Sequence, residues 1–324
     1  MKVGIVGAGT SGLAAARTLK AAGCEVILWE KSRGPGGRVA TRRHGDFTFD
    51  SGATSIAMRG MEIDKVILGE LDQAELHLID KPIWTHTGLR VSPGDKLKNA
   101  TNRYTYRPGI NTLGKLLAQG LDVRTEQQVE TIKRNGDGFE LMGEVVDALI
   151  LTPPIPQTSA LLWQISESRP IANARYRSCL SLMLGFSGVH IDAPYHALLE
   201  PEQRHPLTFL SLEHLKSPGR APEGGSAFVA QMSPSYSHSN FARTTEEVLQ
   251  DVLVYLHRLY PDLPATPDVV DLMRWKYSQP ENVALLDNVN HAGDRLMICG
   301  DGVLAGRIES AYESGVKVAR LLLQ

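Results

Sequence analysis

The feature that most constrains the fold of this chain is a glycine-rich loop, G-A-G-T-S-G, close to the N-terminus. Gly7, Gly9 and Gly12 stand in the G-x-G-x-x-G spacing, after a short apolar run and beside a helix-like segment that starts at Ser11. In such a loop the first glycine permits a tight turn, the second lets backbone approach a pyrophosphate, and the third lets the helix pack closely on the strand. The helix N-terminus attracts the phosphate charge. The loop therefore predicts a dinucleotide site, provided that the flanking elements have the right order.

The flanking elements do have that order. Residues Lys2–Val6 are predicted as a buried strand, 11–22 as a helix and Glu25–Trp29 as a second strand, which is the βαβ pattern of parallel sheets. Glu30 stands at the end of the second strand, 18 residues after the last glycine of the loop. A carboxylate at this place can accept both ribose hydroxyls of an adenosine. Lys31 leaves an NADP-type site open, although an acid beside it normally disfavours a 2′-phosphate.

The rest of the chain mixes helical and strand-like segments. Residues 31–55 have few apolar runs and many Gly and Arg, so they are expected to form a loop. Helices are predicted over 61–75, 110–119, 244–259 and 310–323. Strands are predicted over 122–134 and 139–141 as an antiparallel pair, and over 145–152, 178–189, 195–199, 207–212, 226–232, 269–277 and 295–299. The chain thus begins and ends with α/β elements around a middle that is richer in antiparallel strands.

That order predicts two domains, one of which is discontinuous. The predicted nucleotide-binding domain combines residues 1–56, 106–155 and 290–324, and the predicted substrate domain combines 57–105 and 156–289. The formal net charge of −2, from 34 basic and 36 acidic residues, excludes a strongly basic nucleic-acid binder. No run reaches the roughly 18 apolar residues of a membrane span. Three separated cysteines and no C-x-x-C favour reduced thiols in a cytoplasmic protein, and no histidine spacing indicates a metal.

Three further motifs carry chemistry. R-G-P-G-G-R at 33–38 is a second glycine loop, whose guanidinium groups match phosphate oxygens. In F-D-S-G-A-T at 49–54, Gly52 and Ala53 would let backbone lie close to a flat ring. Near the C-terminus, a buried strand leads into G-D-G at 300–302, and a helix with several small residues follows. Asp301 could accept a ribityl hydroxyl, and the helix N-terminus could face a diphosphate or a flavin C2 carbonyl.

Together, GAGTSGLAAARTL, Glu30, RGPGGR, DSGATS and the terminal GDG…GRIESAYESG resemble the FAD-binding framework of the flavin amine oxidase superfamily. The chain length and the RWKYSQP segment at 274–280 are similar to the renalase branch, its bacterial members in particular. The framework motifs cover the first 55 and about the last 30 residues. The resemblance implies an α/β fold, in which a Rossmann-like FAD-binding domain carries an inserted substrate domain built on a mostly antiparallel sheet plus helices.

The resemblance also implies FAD as the cofactor and a set of residues that contact it. Those implied by the family framework are Gly7, Gly9, Gly12, Glu30, Arg38, Gly52, Ala53, Asp301, Ile308 and Val129, the last as a backbone contact to adenine. Neighbouring motif residues complete the predicted site: Ser11, Lys31, Arg33, Gly37, Asp50, Gly300 and Arg307. A second G-x-G-x-x-G is absent, so a stable NAD(P)H domain is not expected, whereas a covalent flavin link stays open.

The substrate side has fewer signals. If 269–277 is a strand, Trp275 and Tyr277 share one face and could sandwich a flat substrate, while Lys276 points the other way. They could equally be core aromatics. His238, in SPSYSHSNF, is a further pocket candidate, although a solvated loop histidine is the more frequent case.

Renalase-type enzymes, as the resemblance implies, oxidise dihydronicotinamide isomers to NAD(P)+ by hydride transfer to flavin, and O2 takes the electrons to give H2O2. Such a hydride transfer is driven by aromatisation of the ring, so no catalytic base is assigned. The alternatives are a flavin amine oxidase acting on a small amine and a non-catalytic flavin-binding protein. The expected partner is thus a small molecule, a dihydronicotinamide dinucleotide or an amine, and the oligomeric state is left open.

Overall fold

The computed structural model describes every residue from Met1 to Gln324. The strands are β1 (Lys2–Val6), β2 (Glu25–Trp29), β3 (Thr41–His44), β4 (Phe47–Asp50), β5 (Ile56–Ala57), β6 (Leu76–Leu78), β7 (Ile83–His86), β8 (Val91–Ser92), β9 (Arg103–Tyr106), β10 (Asp122–Arg124), β11 (Lys133–Asn135), β12 (Gly138–Leu141), β13 (Glu144–Val146), β14 (Ala148–Leu151), β15 (Arg175–Phe186), β16 (Ala197–Leu199), β17 (Leu207–Leu212), β18 (Ser226–Met232), β19 (Val269–Asn282) and β20 (Leu296–Ile298). The helices are α1 (Thr10–Ala21), α2 (Glu62–Gly69), α3 (Lys96–Asn99), α4 (Thr112–Leu117), α5 (Ile155–Gln164), α6 (Glu213–Lys216), α7 (Pro234–Ser239), α8 (Thr245–Leu259), α9 (Leu286–Val289) and α10 (Ile308–Leu322), with a 3₁₀ turn over Asp301–Val303.

A five-stranded parallel sheet joins the two ends of the chain. Its order is β10-β2-β1-β14-β20, and every neighbouring pair is parallel. Strands β1, β14 and β20 are almost wholly buried and apolar, as expected for a parallel sheet that helices cover, whereas the edge strand β10 is polar and only partly buried. Helices α1 and α10 pack on each other, so the first and last helices of the chain close over this sheet. The result is a Rossmann-like α/β unit assembled from segments far apart in sequence.

A seven-stranded sheet forms the other large layer, with the order β19-β15-β18-β17-β16-β7-β8 and antiparallel pairs except between β16 and β7. One face packs against α8, whose Val248, Val252 and Leu256 are buried in the same apolar cluster as Leu182 and Phe228. Helix α8 begins with a capping box between Thr244 and Glu247, which ends the preceding loop. The opposite face meets the β3–β4 hairpin at one end.

Three smaller sheets complete the fold. The hairpin β3–β4 is antiparallel, β11, β12 and β13 form an antiparallel meander, and β9 lies between β5 and β6. None of the helices combines the length and apolar character needed to cross a lipid bilayer.

The predicted α/β fold is confirmed, with several corrections to its elements. Residues 31–55 are not all loop, because β3 and β4 pair over 41–50 and bury the apolar side of F-T-F. The helix predicted over 61–75 ends at Gly69, and the strand β6 follows it. The segment 122–134 is not one antiparallel strand: β10 joins the parallel sheet beside β2, and only β11 pairs antiparallel. Helices α5 and α7 had no sequence prediction, and β19 continues to Asn282.

Two buried histidines predict how stability depends on pH. His86 and His196 are 1% and 2% exposed, and burial lowers the pKa of each to about 4. In the unfolded chain a histidine titrates near 6.5, so between pH 6.5 and 4 only the unfolded state takes up these protons. The contribution of these two histidines to the free energy of unfolding is therefore complete above pH 6.5. It is lost as the pH is lowered to 4, by about 2–3 kcal/mol per histidine.

Urea unfolding between pH 7 and 4.5 checks this expectation. Carboxylates also titrate in this pH range. The measured quantity is therefore the difference in the free energy of unfolding between the wild type and His196→Gln, and this difference should become smaller as the pH falls. The exposed His238→Gln is the control and should follow the wild-type curve. A His196→Gln curve parallel to that of the wild type would contradict the assignment.

Candidate flavin site

The glycine loop lies at the carboxyl end of β1, where ligands of parallel sheets bind. The N–H of Gly7 donates to the Trp29 carbonyl at 2.8 Å, which ties the loop to β2. A Cβ on Gly12 would stand 2.1 Å from the Gly7 carbonyl oxygen, so only glycine lets α1 start this close to the loop. A Cβ on Gly9 would meet nothing within 4 Å. The loop is therefore packed tightly at its third glycine and open at its second.

Glu30 is buried at the end of β2 and braces the glycine loop. Its Oε2 accepts the Ala8 N–H at 2.9 Å, and its Oε1 accepts the Ser32 N–H at 2.8 Å. A carboxylate offers about four lone-pair sites, so two hydrogen bonds leave capacity for further donors. Its position and this free capacity match the ribose acceptor predicted from the sequence.

The three glycine-rich segments come together around the start of α1. The Gly36 N–H donates to the Ala8 carbonyl at 2.8 Å, and Gly9 and Gly36 form an isolated parallel bridge. A Cβ on Gly300 would lie 3.8 Å from Ser11 Oγ, and one on Gly315 would lie 2.1 Å from the Ser11 carbonyl oxygen. Loops that are separated by almost 300 residues thus share one surface.

Arg38 and Asp301 join the second loop to the C-terminal motif. The two guanidinium nitrogens of Arg38 lie 2.6 and 2.8 Å from the two oxygens of Asp301, a bidentate pair. The same guanidinium donates to the carbonyls of Tyr277 and Ser278 on β19 at 3.2 and 3.0 Å. Burial lowers the pKa of Arg38, but the charge of Asp301 outweighs it and keeps the pKa above its usual range. In this structure Arg38 therefore binds protein groups, whereas the sequence predicted a phosphate.

Tyr176, on β15, completes this contact. Its hydroxyl donates to Asp301 Oδ1 at 3.0 Å, and burial together with the Asp301 charge raises the pKa of the phenol. The Tyr176 ring packs edge-on against Tyr277 with 5.8 Å between centroids. The large antiparallel sheet is thus hydrogen-bonded directly to the G-D-G motif. No motif in the sequence marks Tyr176.

The segment 50–54 connects the second loop to the antiparallel sheet. The Ala53 N–H donates to the Arg38 carbonyl at 2.9 Å, and a Cβ on Gly52 would lie 2.1 Å from that oxygen. The indole N–H of Trp275 donates to the Ser51 carbonyl at 2.8 Å, and the amide of Gln231 donates to the Gly52 carbonyl at 2.7 Å. Glycine at 52 thus allows this segment to lie between the loop and the sheet.

Four charged side chains form a closed cluster beneath this segment, and the side chains of all four are 0% exposed. Lys216 Nζ lies 2.8 Å from Asp50 Oδ2 and 2.6 Å from Glu213 Oε1, and Arg220 lies 3.0 Å from each carboxylate. Burial by itself raises the pKa of Asp50, but Lys216 and Arg220 outweigh it and hold the pKa well below its usual range. Two cations and two anions leave the cluster neutral.

The cluster uses all of the Asp50 carboxylate. Oδ1 accepts the Thr41 hydroxyl and the Ile110 N–H at 2.8 and 2.9 Å, while Oδ2 faces Lys216 and Arg220. This enclosure leaves neither carboxylate oxygen open to a ligand, and the cofactor contact at Asp50 stays a prediction. Asp50 fixes the chain where β4 runs into the segment 50–54.

The remaining predicted residues lie in different environments. Gly37 has a positive φ of 59°, and a Cβ there would approach Gly9 Cα at 3.3 Å. Val129 and Ile308 are half-buried against the core of the Rossmann-like unit. Exposed positions are occupied by Lys31, Arg33 and Arg307 of the cofactor set, and by Lys276 and His238, which lies in α7. The exposed Lys276 and the half-buried Trp275 agree with the predicted alternation along β19.

The face of the antiparallel sheet that meets the segment 50–54 carries uncharged side chains there. Gln231 lies opposite Phe209 on one side and Ser181 on the other, and Cys179 lies opposite Trp275. Paired residues project from the same face, so these side chains line one surface. Burial raises the pKa of the Cys179 thiol to about 12, which keeps it protonated at neutral pH. These side chains offer apolar and neutral hydrogen-bonding groups, and the nearby Arg177 guanidinium opposes the effect of burial on the Cys179 thiol.

Gln231, Lys216, Glu213 and Arg220 were not selected from the sequence. One signal was available: Gln231 is the only amide within the apolar strand SAFVAQM. Lys216 and Arg220 lie around the turn-like segment SPGRAPEGG, where charges are usually solvated.

The fold and these contacts define a class of protein, and comparison of the sequence with known families identifies it. The profile of flavin containing amine oxidoreductases matches residues 73–323, and that of an NAD(P)-binding Rossmann-like domain matches residues 5–63. The first match covers more than half of the chain, so this protein belongs to the flavin-containing amine oxidoreductase family. Its cofactor is FAD.

Sequence relatives match only part of the chain. Over 58 residues it is 43% identical to a 4,4'-diapophytoene desaturase of Staphylococcus aureus (strain Newman), a stretch that covers 18% of this chain and 12% of that protein. Over 103 residues it is 33% identical to the desaturase of the same name from Staphylococcus haemolyticus (strain JCSC1435), covering 32% and 20%. The chain thus matches one fifth or less of the length of these relatives.

Solved structures are similar over the whole chain. A putative protoporphyrinogen oxidase from Exiguobacterium sp. 255-15 has a TM-score of 0.78 at 15% identity, and covers 100% of this chain and 99% of its own. A reduced UDP-galactopyranose mutase has a TM-score of 0.75 at 16% identity, covering 99% and 95%. A putrescine oxidase bound to putrescine has a TM-score of 0.71 at 13% identity, covering 100% and 99%. The TM-scores show that these proteins share the fold of this chain. At identities this low, the similarity shows the fold alone.

The residues present fit FAD. The open space at Gly9, beside the N-terminus of α1, suits a diphosphate, and Glu30 has free acceptor capacity for the adenosine ribose. In the segment 50–54 and the residue after it, the N–H groups of Gly52, Thr54 and Ser55 donate to no protein acceptor. These amides match the polar edge of a flavin ring. The glycine loop, Glu30 and residues 52–55 are therefore the groups that would hold the cofactor.

Proposed function

We propose that this protein is an FAD-dependent oxidase of the renalase type, which oxidises dihydronicotinamide isomers of NAD(P)H to NAD(P)+. Bound FAD would accept the hydride, and O2 would take up the two electrons and two protons to give H2O2. The chain itself would bind the substrate ring, keep water away from it and orient it. The discontinuous domain division at 1–56, 106–155 and 290–324 against 57–105 and 156–289 belongs to this proposal, with the substrate held on the antiparallel sheet.

The observation that carries the proposal is a group of uncharged side chains on this sheet at the segment 50–54. Phe209, Gln231, Cys179 and Trp275 provide stacking surface and neutral hydrogen-bonding groups, and none of them can act as a base at neutral pH. Removing hydride from a dihydropyridine needs no base, because the lone pair of the ring nitrogen drives aromatisation. Positioning of two flat rings in a dry site is then the main requirement.

An amine oxidase activity is the second candidate. The observation that favours it is the position of Trp275 and Tyr277 two residues apart on β19, since two aromatic rings can flank an amine. In this structure, however, the indole N–H of Trp275 is bound to Ser51, and the Tyr277 ring packs against Tyr176. Both rings therefore also have structural contacts.

Anaerobic stopped-flow reduction of the bound flavin tests the proposal. The FAD-loaded protein is mixed with dihydronicotinamide isomers, ordinary NADH, putrescine and benzylamine, and loss of the oxidised flavin absorbance is followed. We expect the isomers to bleach the flavin at least about a hundredfold faster than NADH or either amine, because only their hydride leaves from the ring carbon that the site presents. Fast bleaching by an amine alone would favour the second candidate. Slow reduction by every donor would favour a non-catalytic flavin-binding protein.

A further inference from the structure

Side chains of the antiparallel sheet and of α6 hydrogen-bond to three carbonyl groups of the segment 50–54. The Ser51 carbonyl accepts the indole N–H of Trp275 at 2.8 Å, and the Gly52 carbonyl accepts the Gln231 amide at 2.7 Å. The Thr54 carbonyl accepts Lys216 Nζ at 3.1 Å. Three side chains from different elements, β19, β18 and α6, thus bind three carbonyls within four residues.

These contacts determine where the neighbouring amides point. A peptide unit is planar and trans, so the N–H of one residue points opposite to the C=O of the residue before it. With the Ser51 and Thr54 carbonyls drawn toward the antiparallel sheet, the N–H groups of Gly52 and Ser55 point away from it. Neither N–H has a protein acceptor. The intervening plane is fixed at both ends, because Gln231 holds the Gly52 carbonyl and the Ala53 N–H donates to Arg38.

The donors are themselves immobilised. Lys216 is 1% exposed and held by Asp50 and Glu213, so its ammonium cannot leave the Thr54 carbonyl without separating buried charges. Trp275 packs its ring against Gly52, where a Cβ would lie 3.2 Å from ring carbon Cζ2. Gln231 lies on the interior strand β18, between β15 and β17. A rigid scaffold of this kind fixes the amide directions before any ligand arrives.

We propose that Trp275, Gln231 and Lys216 are positioning residues that aim the Gly52 and Ser55 amides at the flavin ring, where the two N–H groups stabilise its reduced, more electron-rich form. The proposal rests on the flavin site described above, and it gives the antiparallel sheet a role in setting the reduction potential. Amides that are held in place lose no energy in reorienting when charge develops on the ring. In this proposal Trp275 acts through its hydrogen bond to the Ser51 carbonyl, in addition to lining the substrate pocket.

The test uses two variants that remove a donor and keep bulk in its place, Trp275→Phe and Gln231→Met. The control is Tyr260→Phe, which deletes a buried hydroxyl bound to Tyr195 in the cluster on the opposite face of the same sheet. For each purified protein, FAD content is measured, and the reduction potential of the bound flavin is determined by equilibration with a reference dye.

Trp275→Phe should retain FAD and shift the equilibrium toward oxidised flavin about tenfold, which for two electrons is ~30 mV. Gln231→Met should shift it in the same direction by about threefold, because Gln231 fixes only the intervening peptide plane. Tyr260→Phe should leave it unchanged. A Trp275→Phe protein that binds FAD with the wild-type potential overturns the proposal. A wild-type chain that binds no FAD would refute the flavin site itself, which is a separate result.

Hydrogen exchange provides a second measurement that does not require turnover. In the wild type, the peptide over residues 50–57 should lose about two fast-exchanging amides when FAD is added. If Trp275→Phe binds FAD poorly, this peptide in the FAD-free variant should exchange faster than in the FAD-free wild type, because the Ser51 carbonyl is released. Unchanged exchange in that variant, or no protection by FAD in the wild type, also overturns the proposal.

Discussion

Replacing Lys216 with methionine is expected to destabilise the folded chain by about 3–5 kcal/mol, because it leaves two buried carboxylates facing one cation. Lys216 binds both Asp50 and Glu213, and the side chains of all three are fully enclosed. Methionine has a similar length and no charge, so the change removes the ammonium without opening a large cavity. The free energy of unfolding in urea at pH 7 is the measurement.

Two further variants show whether the missing charge causes the loss of stability in Lys216→Met. Lys216→Met combined with Glu213→Gln restores a neutral cluster, with Asp50 facing Arg220, and should recover a substantial part of the stability. Lys317→Met makes the same chemical change in a pair that is 3.8 Å apart and half-exposed, so it should cost less than about 1 kcal/mol. Equal losses for Lys216→Met and Lys317→Met would contradict the role of the buried cluster.

The second large effect separates two glycines of the same loop. Gly12→Ala should destabilise the FAD-free chain by about 2–3 kcal/mol, because the new Cβ would lie 2.1 Å from the Gly7 carbonyl oxygen and backbone would have to move. Gly9→Ala should leave the stability of the FAD-free chain unchanged, since its Cβ would meet nothing within 4 Å. Gly9→Ala should instead weaken FAD binding by about tenfold or more, since that open space is where a pyrophosphate approaches the backbone.

Thermal unfolding of the FAD-free proteins and titration with FAD distinguish the two effects. Gly69→Ala is the matched control, because Gly69 lies in α2 and a Cβ there also meets nothing within 4 Å. Gly69→Ala should change neither the stability of the FAD-free chain nor its affinity for FAD. If Gly9→Ala and Gly69→Ala bind FAD equally well, the diphosphate does not lie at Gly9.

The cofactor-binding end of the fold could be predicted because its signals are local. A glycine spacing, a strand before it, a helix after it and an acid at the end of the next strand all lie within the first 30 residues. The structure places these elements as predicted, with Glu30 bound to the Ala8 N–H. Alternation along β19 likewise separated Trp275 from Lys276, since neighbouring side chains in a strand face opposite sides.

The environment of Asp50 could not be predicted from local sequence. Its place in F-D-S-G-A-T suggested a ligand contact, but its carboxylate is enclosed by Lys216 and Arg220, which follow it by more than 160 residues. The charges of these two residues stand near a Pro- and Gly-rich turn, where sequence alone predicts exposure to solvent. Only the pairing of distant segments converts them into a neutral buried cluster.

By itself, the sequence determined the Rossmann-like unit, the family framework and the residues grouped around the glycine loops, because steric fit and phosphate binding there depend on residues a few positions apart. The tertiary structure decided what lies on the other side of the segment 50–54. Trp275, Gln231 and Lys216 reach its carbonyls only because β19, β18 and α6 are folded against it. Hydrogen-bond direction depends on that three-dimensional arrangement, which no spacing in the sequence encodes.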